Sequence, residues 1–198
     1  MNLKLIEKQI DHRRDVLIHY MPTSFFRNNI EKSFAYFISN PILELNEGKR
    51  LFSVNIEGEE YNFIYEFLNW DSDFFKTPTF KLNFVLFCEK NYQNLVKAIL
   101  HFKEEVIKDN YIFIEIPSED IFVIQALNEN LFRLVETRMT YYLDLENFKN
   151  ERYSVREATL NDVSNLTRVS SEMVNPFDRF HADICFDEKI ADSFLGVF

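Results

Sequence analysis

Glycine is scarce in this chain: Gly48, Gly58 and Gly196 are the only three in 198 residues, and no two share a short loop. A phosphate cradle of the G-x-G-x-x-G or G-x-x-x-x-G-K-[ST] kind needs clustered glycines, so nucleotide-fingerprint and P-loop chemistry are excluded. Cysteine is rarer still, with two. Cys88 and Cys185 lie far apart with no C-x-x-C or other zinc spacing, which fits a reducing compartment better than a disulfide scaffold. Basic residues are outnumbered, 22 Lys and Arg against 32 Asp and Glu, giving a formal net charge of −10 and a pI near 4.9. A nonspecific binder of nucleic-acid backbones needs the opposite balance, although a few local donors can still hold a small anion. No apolar run approaches the ~20 residues that span a bilayer. The opening MNLKLIEKQIDHRRD also lacks a signal-peptide core. The expectation is a cytoplasmic protein with no membrane and no nucleic-acid partner.

What the chain does have is 46% apolar content and 22 phenylalanines, enough to bury a core. The stretch Tyr111–Leu145 organises the rest. It predicts a buried strand over 111–116, a turn at Pro117 and a helix capped by Ser118. A long half-buried strand from Arg133 to Leu145 follows, with Val135, Thr137, Met139, Tyr141, Leu143 and Leu145 on one face. Upstream, residues 1–22 carry only a partial helical stripe. Thr23 and Ser24 offer caps for a helix through Phe26, Ile30, Phe34, Phe37 and Ile38 that Asn40-Pro41 should stop. Phe52, Val54 and Ile56 answer Tyr61, Phe63 and Tyr65 across Glu57-Gly58, a β-hairpin signal. Phe80–Cys88 alternates as a strand, with Cys88 a small apolar side chain, and Tyr92–Ile107 carries an apolar helical stripe. Alternating strands and helices argue an α/β (α+β) layer fold for an N-terminal domain over residues 1–146.

Residues 145–152 are polar and form the candidate linker. A short strand is expected over Tyr153–Arg156, then a helix to about Val174 whose start pairs Thr159 with Asp162 in a capping box. NPFDRFHADICF reads as a loop and DEKIADSFLGVF opens a further helix. At ~48 residues this second unit, 151–198, is near the size at which an isolated core fails. It is therefore expected either to pack on the first domain or to be the start of something longer.

The order of WDSDFF, then ALNENLFRLVETRMTYYLDL, then YSVREATLNDVSNLTRVSSEMV with RFHAD and DEKIAD, resembles the dTDP-fucosamine acetyltransferase-like branch of the GNAT N-acetyltransferases. The similarity covers roughly residues 66–195. It implies an N-terminal α/β domain followed by a GNAT (acyl-CoA N-acyltransferase) unit, here incomplete. It also implies transfer of acetyl from acetyl-CoA to the amine of an amino-sugar nucleotide. The family's pyrophosphate turn, Q/R-x-x-G-x-G/A, is absent by the glycine count, so no cofactor-binding and no catalytic residue is assigned. A truncated chain, inactive by itself, is the expectation. The resemblance also implies glycine at position 131, as a left-handed helix C-cap; with Leu131 there, Asn130 is expected to take that conformation.

The acceptor-binding candidates are Trp70, Asp71, Asp73, Arg179 and His181. The tryptophan ring could stack on a base while the aspartates accept from sugar hydroxyls. The blander reading is an aromatic core with an aspartate capping a turn. The resemblance makes Arg179 and His181 acceptor or phosphate contacts, against a plain loop-ordering role such as Asp183 is expected to have. A metal shared by His181, Asp183, Cys185 and Asp187 is discounted, because soft and hard donors are mixed there without a known spacing. The alternative function is a non-catalytic binding or assembly module, a homo-oligomer built through exposed strand edges and apolar surface.

Overall fold

Glu57 and Gly58 both take positive φ, 54° and 91°. This is the pairing of signs that a two-residue hairpin turn needs to match the twist of its strands. The turn joins β1 (Lys49–Ile56) to β2 (Glu59–Phe67). The chain is described by a computed structural model over residues 2–24, 29–45, 48–143, 145–146, 154–172 and 178–194. The described residues form a mixed α/β structure around one four-stranded sheet, in the order β1-β2-β3-β4. β3 (Thr79–Leu86) pairs antiparallel with β2, with a bulge at Ile64/Tyr65, and β4 (Tyr111–Ile114) pairs parallel with β3. The parallel step requires a crossover. Helix α6 (Tyr92–Phe102), extended by a wider π turn over Lys103–Ile107, supplies it.

Contacts divide the chain into one unit over Met1–Arg133 and another over Leu134–Phe198. In the first, each face of the sheet is covered. Tyr61, Phe63 and Tyr65 point to one side, where Leu95, Ile99 and Phe102 of α6 and Val123 and Leu127 of α7 (Ile121–Glu129) close the larger core. Ile64, Phe84 and Leu86 point to the other, against the N-terminal helices. There α1 (Leu3–His12) buries Ile6, Gln9 and Ile10, α2 (Arg14–Leu17) buries Leu17, and a 3-10 turn over Ile18–Tyr20 follows. The partial stripe in residues 1–22 is thus a helical layer. On α1 the buried Gln9 donates to the Glu60 carbonyl at 2.6 Å and accepts from Asn62 at 2.8 Å.

Several sequence expectations need correction. Pro41 does not stop the second helical segment: α3 (Ile30–Phe34) runs through a π turn, Ala35–Ser39, into α4 (Asn40–Glu44). The π turn shifts the hydrogen-bond register just before Pro41, the Asn40 N–H reaching the Ala35 carbonyl, and so accommodates the proline inside a continuing helix. Ser118 is not the cap of α7. The turn closed by the Asp120 N–H on the Pro117 carbonyl delays the helix, and Asp120 occupies the cap position. β4 is shorter than 111–116 and only half-buried, as suits an edge strand. Cys88 lies past the end of β3, half-exposed, its N–H donating to Glu59 at 2.8 Å.

The largest correction concerns residues 133–145. Their described part forms no strand, and Leu134, Met139, Tyr141, Leu143 and Leu145 are exposed. Period-two alternation gives a strand its faces, but a ladder partner is needed to make one. Ser154–Arg156 likewise forms no strand; Arg156 instead forks onto Asp162 at 2.7 and 2.8 Å. Asn130 has φ −89°, and Leu131 itself takes the left-handed region at φ 67°. The Phe132 N–H reaches the Leu127 carbonyl at 3.1 Å and the Leu131 N–H reaches Asn128 at 3.0 Å, the Schellman pattern of a helix end. Asn130 uses its amide to donate to the Val96 and Ala126 carbonyls instead.

In the second unit the Thr159–Asp162 capping box is present. It starts a 3-10 turn, Leu160–Asp162, that leads into α8 (Val163–Glu172). The stretch expected as a loop contains a short helix, α9 (Arg179–Ala182), and α10 (Glu188–Phe194) follows. Phe26, Asp144, the linker residues 147–153, the helix end at 173–177 and residues 195–198 lie outside the described residues.

Candidate functional site

Trp70, Asp71 and Asp73 share one short helix, α5 (Asn69–Phe75), between β2 and β3 of the first unit. Trp70 is 40% exposed and stacks on Phe74, ring centres 5.3 Å apart and planes 10° from parallel. That is the one-turn spacing of neighbours on a helix face. Phe75 turns inward and is buried, so the aromatic group divides between core and surface. Asp71 stands in the first turn, where the helix dipole favours a carboxylate, and Asp73 is exposed. Neither aspartate caps the helix. The residue that fastens α5 is Ser72: its hydroxyl donates to the Leu68 carbonyl at 2.6 Å and accepts from the Thr79 N–H at 2.9 Å.

Arg179 and His181 sit on α9 of the second unit. Asp178 caps that helix, one carboxylate oxygen accepting the N–H groups of Phe180 at 2.9 Å and His181 at 3.0 Å. Its other oxygen meets His181 Nδ1 at 2.8 Å, while His181 Nε2 meets Asp192 Oδ1 of α10 at 3.1 Å. The imidazole is 8% exposed. The Arg179 guanidinium lies over the Phe180 ring at 4.4 Å, and Phe180 itself packs on Phe186 and Phe194. Asp183 orders the following turn by accepting the Cys185 N–H at 3.0 Å. Among the described residues no group of three or more His, Cys, Asp and Glu is placed to hold a metal ion. Among them, too, no helix is long and apolar enough to cross a membrane.

Two other features of the first unit were not foreseen. Arg13 and Asp120 form a buried ion pair that also engages the Val85 carbonyl, the Tyr20 hydroxyl at 2.6 Å and the face of Phe87 at 4.5 Å. Burial first, then the Asp120 charge, pushes the Tyr20 hydroxyl well above the usual phenol range, so Tyr20 remains a donor. A groove of about 460 Å³ lies between α1, the hairpin turn and the turn after β3, lined by Lys8, His12, Glu59, Glu60, Cys88 and Glu89 among others. Glu59 there already accepts the N–H groups of Cys88 and Glu89. Partial burial, then Glu59, raises the Cys88 thiol above its ordinary value, which disfavours a nucleophilic thiolate. The geometry of both features is that of ties between elements.

Compared with known proteins, the chain has no match to any family model, to any curated protein or to any solved structure.

Proposed function

We propose that this chain supplies the acceptor side of an N-acetyltransferase of the GNAT class, which moves acetyl from acetyl-CoA to the amine of an amino-sugar nucleotide. The observation that carries the reading is the bond between His181 and Asp192. RFHAD and DEKIAD, two of the five stretches behind the resemblance, meet there as one hydrogen-bonded assembly. The left-handed backbone of Leu131 supports it independently, since the family resemblance calls for glycine at that position.

In this reading Arg179 is the phosphate contact, its guanidinium held level by the Phe180 ring. His181 is a positioning residue, since both ring nitrogens face carboxylates. Trp70, Asp71 and Asp73, on the first unit, are a separate candidate, with a stacking face and acceptors for a nucleotide or sugar. Acetyl-CoA is the co-substrate. The sequence has no glycine-rich turn for its pyrophosphate, so this polypeptide should take the acceptor and not the donor. Calorimetric titration tests both halves: a thymidine or uridine diphosphate amino sugar should bind and acetyl-CoA should not. Tight acetyl-CoA binding, or silence toward every amino-sugar nucleotide, overturns the proposal.

A second reading, a homo-oligomeric assembly module, draws on one observation. Exposed apolar side chains run along Leu134–Leu145 and continue on α8 as Val163, Leu166 and Val169, spaced three apart. Such surface favours association. Sedimentation that finds a monomer resistant to concentration counts against it.

A further inference from the structure

The two ring nitrogens of His181 both face carboxylate oxygens, Asp178 Oδ2 at 2.8 Å and Asp192 Oδ1 at 3.1 Å. An ionised carboxylate only accepts, and a neutral imidazole has one N–H to give. Both contacts are hydrogen bonds only when the ring carries two protons. We infer that His181 is a pH-sensitive latch that ties α9 to α10 as an imidazolium and lets Asp192 go when it loses one proton.

The asymmetry of the site decides which side opens. Asp178 is fixed by the Phe180 and His181 N–H groups as well as by the ring, so the remaining proton stays on Nδ1. Nε2 then presents a lone pair to the Asp192 carboxylate, which is half-exposed and can turn to water. Other charged groups nearby are already engaged. On α9, Arg179 lies over Phe180. In the connecting turn Asp183 accepts the Cys185 N–H and Asp187 accepts the Lys189 N–H. On α8, which also packs on α10, Arg168 pairs with Glu172. Burial of the ring opposes its charge, but the hydrogen bonds it donates to Asp178 and Asp192, and the charges of those carboxylates, outweigh it, raising His181 above its ordinary value. The latch is therefore complete below the ordinary imidazole value of ~6.5 and is lost as pH rises through the raised one.

Nuclear magnetic resonance on the full chain tests this in two ways. The imidazole nitrogens of His181 should report two protons at about pH 6. Amide exchange over residues 188–194, corrected for its intrinsic pH dependence, should speed up several-fold as the ring titrates. Asp192→Asn carries an amide that can accept from the charged ring or donate to the neutral one. It should lower the titration midpoint and remove the acceleration, whereas Asp192→Ala should exchange fast throughout. A singly protonated His181 at about pH 6, equal protection on both sides of its titration, or an acceleration that persists in Asp192→Asn overturns the inference. None of these outcomes depends on acetyl transfer.

Discussion

Arg13 and Asp120 are 107 positions apart and form an ion pair with only 5% and 2% of their side chains exposed. The pair joins the N-terminal helical layer to the start of α7, with the Tyr20 hydroxyl donating to the same Asp120 oxygen and the Val85 carbonyl accepting from the other guanidinium NH2 group. Breaking it strands a charge in the interior. Asp120→Ala should lower the stability of the first unit by about 3–5 kcal/mol. Urea unfolding followed by the fluorescence of Trp70, the sole tryptophan and part of the same unit, reads this out directly. Arg13→Met combined with Asp120→Leu should recover most of the loss, because no unpaired charge remains.

Phe102 is the centre of the larger core. Its ring stacks on Phe63 at 4.7 Å with planes 3° apart and touches Phe52 and Tyr65 as well. Phe102→Ala should cost about 3–5 kcal/mol in the same unfolding measurement, since the transfer loss is joined by a cavity against the central strand. Phe102→Leu should cost clearly less.

Leu131 gives a prediction of the opposite sign. It has φ 67° and is 78% exposed, so its side chain adds strain without core packing. Leu131→Gly should stabilise the first unit by about 1 kcal/mol, the relief of left-handed strain less the extra freedom of glycine in the unfolded chain. Leu131→Val, branched at Cβ, should shift the urea midpoint the other way.

Asp162 makes the start of α8 sensitive to acid. The Arg156 guanidinium first, then the Thr159 N–H and hydroxyl, hold its carboxyl well below the usual carboxylate range. A depressed value in the folded state means that the contribution is present above the unfolded value of ~3.9 and is lost as pH falls through the folded one. Amide exchange at residues 160–165 should therefore stay protected through mildly acid pH and rise only in strong acid. In Asp162→Ala that protection should be missing at every pH.

Local chemistry was legible in the sequence wherever one residue type solves one backbone problem. Glu57-Gly58 specified the hairpin, Thr159 with Asp162 specified a helix start, and the Tyr92–Ile107 stripe specified the crossover helix. What could not be read depends on partners distant in the chain. Arg13 carries no signal of its burial, because nothing local announces Asp120. The alternation over 133–145 suits a strand, but a sheet edge to pair with is not a local property, and the described residues there form no strand. Leu131 shows backbone geometry overriding residue preference: the Schellman hydrogen bonds set φ at that position, and leucine accepts it. For the candidate site, a motif resemblance nominates Arg179 and His181, whereas the double carboxylate clamp on the histidine needed coordinates, since Asp192 lies 11 residues away.

The most direct test of the acceptor-side proposal is chemical-shift mapping of the backbone amides while a thymidine diphosphate amino sugar is titrated in. The account predicts saturable shifts over residues 178–183, weakened when Arg179 is replaced by alanine. Spectra that do not change there, or that change only when acetyl-CoA is added, would contradict it.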